Sequence, residues 1–149
     1  MTLEIRNGRR EELPAILALV AQDSIGNPNE AGAPSDAHYK AFDEIAAHPD
    51  HRIAVGILDG AVVATLQLSY LPGLGFQGAW RAQLEAVRVR ADLRSRGYGA
   101  AMIQWAVEEA RNRGCKLVQL TSNRARTDAR RFYEKLGFCA SHIGMKLYL

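Results

Sequence analysis

Between residues 87 and 106 the chain reads VRVRADLRSRGYGAAMIQWA: an apolar strand, a short loop holding Arg94, Arg96, Gly97 and Gly99, and a helix that begins at once. No other stretch limits the fold as much. A strand that passes into a helix through so few residues needs glycine backbone at the turn and commits the chain to packed layers of helix and sheet. Such a junction is also an anion site. The first amides of a helix point outward without partners, the helix dipole adds partial positive charge, and glycines let a phosphate approach the backbone. The same glycines would serve a tight turn for steric reasons alone. The spacing is neither that of the Walker loop, which ends in Gly-Lys-Ser/Thr, nor that of the dinucleotide fingerprint.

The rest of the chain fits a mixed arrangement. Leu3 and Ile5 alternate with Glu4 and Arg6 in a first strand, and Leu13, Ile16, Leu17 and Val20 recur at helical spacing. Residues 23–36 read as a loop, and Ser35 can cap a second helix that ends near Ala47. Strands over 51–58 and 61–71 flank Asp59-Gly60, a strong hairpin signal; residues 71–78 read as a loop and 82–89 as a strand. Helices at 98–113 and around 129–136, a strand from Cys115, and two last strands at 138–142 and 145–149 complete the pattern. Trp105 and Met102 read as core on the helix behind the loop, and His38, His48 and His51 as surface residues.

With 149 residues, 48% of them hydrophobic, the chain is expected to form a single domain spanning 1–149. It has no apolar run of membrane length and no apolar leader, so a cytoplasmic protein without membrane association is expected. Cys115 and Cys139 are too few for a zinc site, and no metal is expected. Residues 1–50 hold nine acids and four bases, whereas residues 51–149 hold fifteen bases and seven acids. That asymmetry suits an anionic partner for the second half. A nucleic acid is the less favoured anion, because aromatics make up only 7% of the chain and the arginines form no stripe.

Arg94-Ser95-Arg96-Gly97-Tyr98-Gly99 resembles the Gln/Arg-x-x-Gly-x-Gly/Ala signature of the GNAT superfamily of acetyl-CoA-dependent N-acetyltransferases. Downstream, Arg131-Phe132-Tyr133-Glu134-Lys135-Leu136-Gly137-Phe138 is similar to the family's late FYEKLGF segment. Two motifs in the right order and on the right elements count for more than either alone. The opening EIRNGRREELPAILAL looks like the family's first strand and helix, so the resemblance spans nearly the whole chain.

The resemblance implies an α/β fold with a mixed, mostly antiparallel, twisted sheet of six to seven strands flanked by about four helices. It implies transfer of an acetyl group from acetyl-CoA directly to a primary amine. The coenzyme's pyrophosphate would meet the backbone amides of Ser95, Arg96, Gly97, Tyr98, Gly99 and Ala100, with Arg94 beside them. Its pantetheine arm would pair with Val87, Arg88 and Val89, in a strand that commonly carries a bulge in this family. Tyr133 matches the tyrosine that acts as general acid toward the leaving thiolate, a proton transfer between groups of similar basicity. Without the motif it reads as a core tyrosine. Glu85 is the favoured base, with an exposed glutamate paired to Arg81 as the plain alternative. The family's asparagine position is occupied by Arg126, with Asn123 three residues earlier; either can contact the coenzyme. Neither cysteine is needed as a nucleophile.

Glu30, Asp36, Asp43 and Glu44 would lie toward the acceptor by family analogy, favouring a small cationic amine. Protein lysine or N-terminal acetylation, a non-catalytic acyl-CoA sensor and a nucleic-acid-binding domain are the alternatives. A homodimer is compatible with the resemblance.

Overall fold

A computed structural model describes residues 2–22 and 33–149; the expected loop at 23–36, and with it Glu30, lies largely outside the described residues. Backbone contacts divide the chain into two compact units, Met1–Gln119 and Leu120–Leu149. The sheet has the order β1-β2-β3-β4-β5, with β1 (Glu4–Asn7), β2 (His51–Leu58), β3 (Ala61–Leu71), β4 (Arg81–Val89) and β5 (Leu117–Leu120). The first four strands pair antiparallel in sequence. Asp59 and Gly60 join β2 to β3 with φ of 50° and 79°, the double left-handed geometry of a tight hairpin turn.

Strands β2 and β3 are buried along most of their length because helices cover both faces of the sheet. Leu13 and Ile16 of α1 (Leu13–Ala21) and Phe42 of α2 (Asp36–Ala47) pack on Val55 and Ile57. Gly56 points the other way, toward α4 (Tyr98–Arg113), and a Cβ there would lie 3.1 Å from Met102 Sδ. The helix therefore seats directly on the strand, burying Met102, Ile103, Ala106 and Ala110. Thr65, which with Ser69 is a buried polar residue of β3, donates its hydroxyl to Ala54 O at 2.9 Å.

Lys116 N donates to Trp80 O at 2.9 Å, and Gln119 Nε2 donates to Gln83 Oε1 at 2.6 Å. These contacts advance together along both strands, the parallel direction that a crossover through α4 requires. Gly114 ends α4 at φ 89°, while Cys115 N reaches Ala110 O and Gly114 N reaches Arg111 O, a Schellman close. In the second unit, α5 (Thr127–Lys135) closes the same way: Gly137 has φ 98°, with Gly137 N on Glu134 O and Phe138 N on Tyr133 O.

Three expectations change. The described residues form five strands, not six or seven: 138–142 and 145–149 carry strand-like alternation but pair with no sheet. The loop at 71–78 contains a helical turn, α3 (Gly75–Gly78), which brings the helices to five. Phe76, Gln77 and Gly78 have φ of 52°, 61° and 77°, so this turn is left-handed. Trp105 is half-buried rather than core, with the Arg52 guanidinium 4.9 Å from its ring and 2.7 Å from Glu109.

Candidate acyl-donor site

Strand β4 is irregular where the site residues lie. Glu85 opposes Gln67 and Arg88 opposes Thr65, so Ala86 and Val87 together face the single residue Leu66. This is a β-bulge, and Ala86 takes φ 51° to form it. A left-handed alanine costs about 1–2 kcal/mol, which the surrounding sheet must offset. Past the bulge, Val89 packs with Leu58, Val63 and Leu93, while Arg88 Nη1 donates to Val87 O at 2.9 Å. Glu85 is exposed and forms no ion pair among the described residues. The alternative pairing with Arg81 is not made, since Arg81 Nη1 instead reaches Pro72 O at 3.5 Å.

The strand leaves the sheet at Arg90, whose N–H donates to Val63 O at 2.8 Å. A 3-10 turn over Ala91–Leu93 follows. Leu93 is 8% exposed and sits against Val63 and Leu58 with Tyr98 alongside, so apolar residues pin the loop before and after its exposed tip. Arg90 grips the Asp92 carboxylate through Nε at 2.6 Å and Nη2 at 3.1 Å, holding that carboxyl below its ordinary range. Ala91 N donates to Gln22 Oε1 at 3.1 Å, and Arg94 Nε to Val89 O at 3.3 Å.

At the tip, Ser95 and Gly97 take φ of 61° and 87°. Gly97 stands at the N-cap of α4 and offers no side-chain cap. Among the described residues, the backbone N–H groups of residues 95–100 donate to nothing. Arg94, Ser95, Arg96 and Gly97 are exposed, whereas Tyr98, Gly99 and Ala100 are half-buried. Six open donors at the positive end of a 16-residue helix, beside two arginine side chains, are chemically suited to an anionic group, as the diphosphate implied by the sequence resemblance would be.

The remaining expected residues belong to the second unit. Asn123 Oδ1 accepts from Ala125 N at 2.9 Å, and Asn123 O accepts from Arg126 N at 2.9 Å, so the asparagine builds the turn into α5. Arg126 is the half-buried residue preceding that helix. Tyr133 is half-buried, its ring 5.1 Å from Phe132 and 5.7 Å from Phe138, both edge-on. Burial pushes the Cys115 thiol above its ordinary range, whereas Cys139, within the stretch 138–142 expected as a strand, is exposed. His51 is half-buried and meets Ser69 Oγ at 2.9 Å through Nδ1, so it is not a plain surface residue.

On the other side of the sheet an open cleft of about 510 Å³ is lined by Arg10, Asp36, Tyr39, Lys40, Asp43 and Glu44. Its acids are partly engaged. Asp43 accepts from Arg10 Nε at 3.0 Å, and the Arg10 guanidinium lies 4.5 Å from the Tyr39 ring. Sequence reasoning found the acids but not their basic neighbours, because Arg10 arrives from another element. No group of residues able to hold a metal occurs among the described residues.

Residues 17–138 match the profile of the Acetyltransferase (GNAT) family. An aminoalkylphosphonate N-acetyltransferase from Salmonella typhimurium is 28% identical over 144 residues, covering 94% of this chain and 87% of that one. A glucosamine 6-phosphate N-acetyltransferase 1 from Oryza sativa subsp. japonica is 31% identical, with 91% and 84% covered. Among solved structures, a transcriptional regulator from Bacillus halodurans C-125 superposes with a TM-score of 0.94. It is 35% identical, and the match covers 99% of this chain and 100% of that one.

Proposed function

Since this chain belongs to the GNAT acetyltransferase family and is an N-acetyltransferase acting on amines, we propose that it acetylates a small primary amine with Glu85 as base and Tyr133 as acid. The observation that carries the acyl-donor half is the run of six open amides at residues 95–100. These N–H groups, with Arg94 and Arg96, hold the diphosphate of acetyl-CoA, and the stretch of β4 beyond the bulge, Val87, Arg88 and Val89, receives its pantetheine arm. Acetyl-CoA supplies the activated acyl group when bound.

The chain's own residues supply positioning and proton transfer. Glu85 accepts a proton from the ammonium form of the acceptor, directly or through water, since only the neutral amine is nucleophilic. The amine nitrogen bonds to the thioester carbonyl carbon, the carbon–sulfur bond breaks, and Tyr133 gives its phenolic proton to the departing thiolate; the nitrogen then loses its second proton through water, which leaves a neutral amide and restores the phenol. Fixed orientation of both substrates supplies much of the acceleration.

The acceptors named for the two curated relatives carry a phosphorus acid beside their amine. The test is release of free CoA thiol from acetyl-CoA across a panel of aminoalkylphosphonates, amino-sugar phosphates, polyamines, aminoglycosides and lysine peptides. Turnover confined to small amines supports this reading, and selective turnover of lysine peptides overturns it. Tight DNA binding with no acetyl-CoA binding would favour the nucleic-acid alternative instead.

A further inference from the structure

Strand register puts a row of polar side chains on one face of the sheet. His51 opposes Ser69, Ile53 opposes Gln67 and Val55 opposes Thr65, while across β3 and β4 Ser69 opposes Gln83 and Gln67 opposes Glu85. Residues directly opposite in an antiparallel pair share a face, and so do positions two apart on one strand. Val55 lies under Leu13, Ile16 and Phe42, so this is the face that α1 and α2 cover in part.

The chain itself holds several members of the row. Thr65 donates to Ala54 O at 2.9 Å, Ser69 Oγ meets His51 Nδ1 at 2.9 Å, and Gln83 Oε1 accepts from Gln119 Nε2 at 2.6 Å. Two members are not held. The Gln67 carboxamide and the Glu85 carboxylate form no hydrogen bond or ion pair among the described residues. They are cross-strand partners, which sets their Cβ atoms about 4.5–5.5 Å apart. Gln67 is half-buried, and Ile53 on its other flank offers no polar partner. Glu85 is the last residue before the bulge at Ala86. A carboxamide oxygen and a carboxylate side by side suit a ligand that donates several N–H groups from one atom, as an ammonium does.

We propose that Gln67 is an acceptor-binding residue, its Oε1 accepting one N–H of the substrate amine while Glu85 takes the proton of another. The assignment rests on the reading of Glu85 as the base. A primary ammonium carries three protons. One passes to Glu85 and frees the nitrogen lone pair, and one leaves through water after the carbon–nitrogen bond forms. The third stays in the amide, and that is the N–H on Gln67. Because the carboxamide is neutral, it keeps its hydrogen bond when the ammonium becomes an amine; a second carboxylate there would favour the ammonium and oppose attack. Holding one N–H also restricts where the lone pair can point, which is the orientation that transfer needs.

Initial rates of CoA release, with the amine of the panel that turns over fastest, test this in Gln67→Met and Gln67→Glu. Methionine keeps the length of the side chain but lacks the carboxamide. Gln67→Met should raise the KM for the amine about tenfold, with the KM for acetyl-CoA and the melting temperature unchanged. Gln67→Glu should recover most of that KM but lower kcat. It should also move the acid limb of the kcat/KM profile to higher pH, because two carboxylates then face each other across the strands. His51, Arg81 and Arg88, the titratable or charged side chains that share this face on the adjoining strands, are the same in every variant. An amine KM unmoved in Gln67→Met overturns the proposal, as does an unshifted acid limb in Gln67→Glu. Equal rises in both KM values mark a general loss of structure and overturn it too. Full kcat in Glu85→Gln, or a wild type that turns over no amine, overturns the parent reading instead and takes this assignment with it.

Discussion

Tyr133 and Glu85 hold the proposed proton transfers, and their removal should separate chemistry from binding. Tyr133→Phe keeps the ring contacts with Phe132 and Phe138 while losing the phenolic proton. It should lower kcat by about a hundredfold with little change in melting temperature. An undiminished kcat would assign that proton to water. Gln22 was not legible in the sequence, because its contact with Ala91 N joins positions 69 residues apart. Gln22→Ala should raise the KM for acetyl-CoA several-fold and leave kcat unchanged, whereas Gln22→Glu, which still accepts that hydrogen bond, should restore KM. If both variants behave as the wild type, the contact does not position the loop. The two thiols should also differ: with Cys115 pushed up by burial and Cys139 exposed, iodoacetamide at neutral pH should label Cys139 first, as peptide mapping will read.

At the scale of elements, the strand–loop–helix was readable because glycine spacing and apolar periodicity are local properties. The bulge in β4 was not, since alanine carries no signal for φ 51°; only the family resemblance pointed to one there. Ala86→Gly should relieve that strain and stabilise the chain by about 1 kcal/mol in a denaturant titration, less whatever extra entropy glycine brings to the unfolded state. The Arg6–Glu12 pair ties β1 to the turn that opens α1, with Arg6 Nη2 2.6 Å from Glu12 Oε1. Arg6 chiefly, helped by Arg9 N–H, holds the Glu12 carboxyl below its ordinary range against the opposing effect of burial. A lowered carboxylate contributes stability above its unfolded value and loses it as pH falls through its folded one. Glu12→Gln should therefore melt lower than the wild type at neutral pH, and that difference should vanish in acid.

For the whole molecule, residues 51–149 carry fifteen bases against seven acids, and the proposed coenzyme contacts fall within that stretch, whose exposed charge salt screens. Raising ionic strength should increase the KM for acetyl-CoA several-fold with kcat nearly constant; a salt-independent KM would leave the open amides as the sole source of affinity. No helix among the described residues is long and apolar enough to cross a membrane. The sequence by itself determined the first five strands and the four longer helices, the hairpin at Asp59-Gly60 and the open helix start at Gly97, because each follows from the few residues that form it. Tertiary structure alone decided the contact between Gln22 and Ala91, the basic neighbours of the acids in the cleft, and the unpaired state of residues 142–149. Each of those depends on what distant parts of the chain place alongside, and local periodicity carries no record of that.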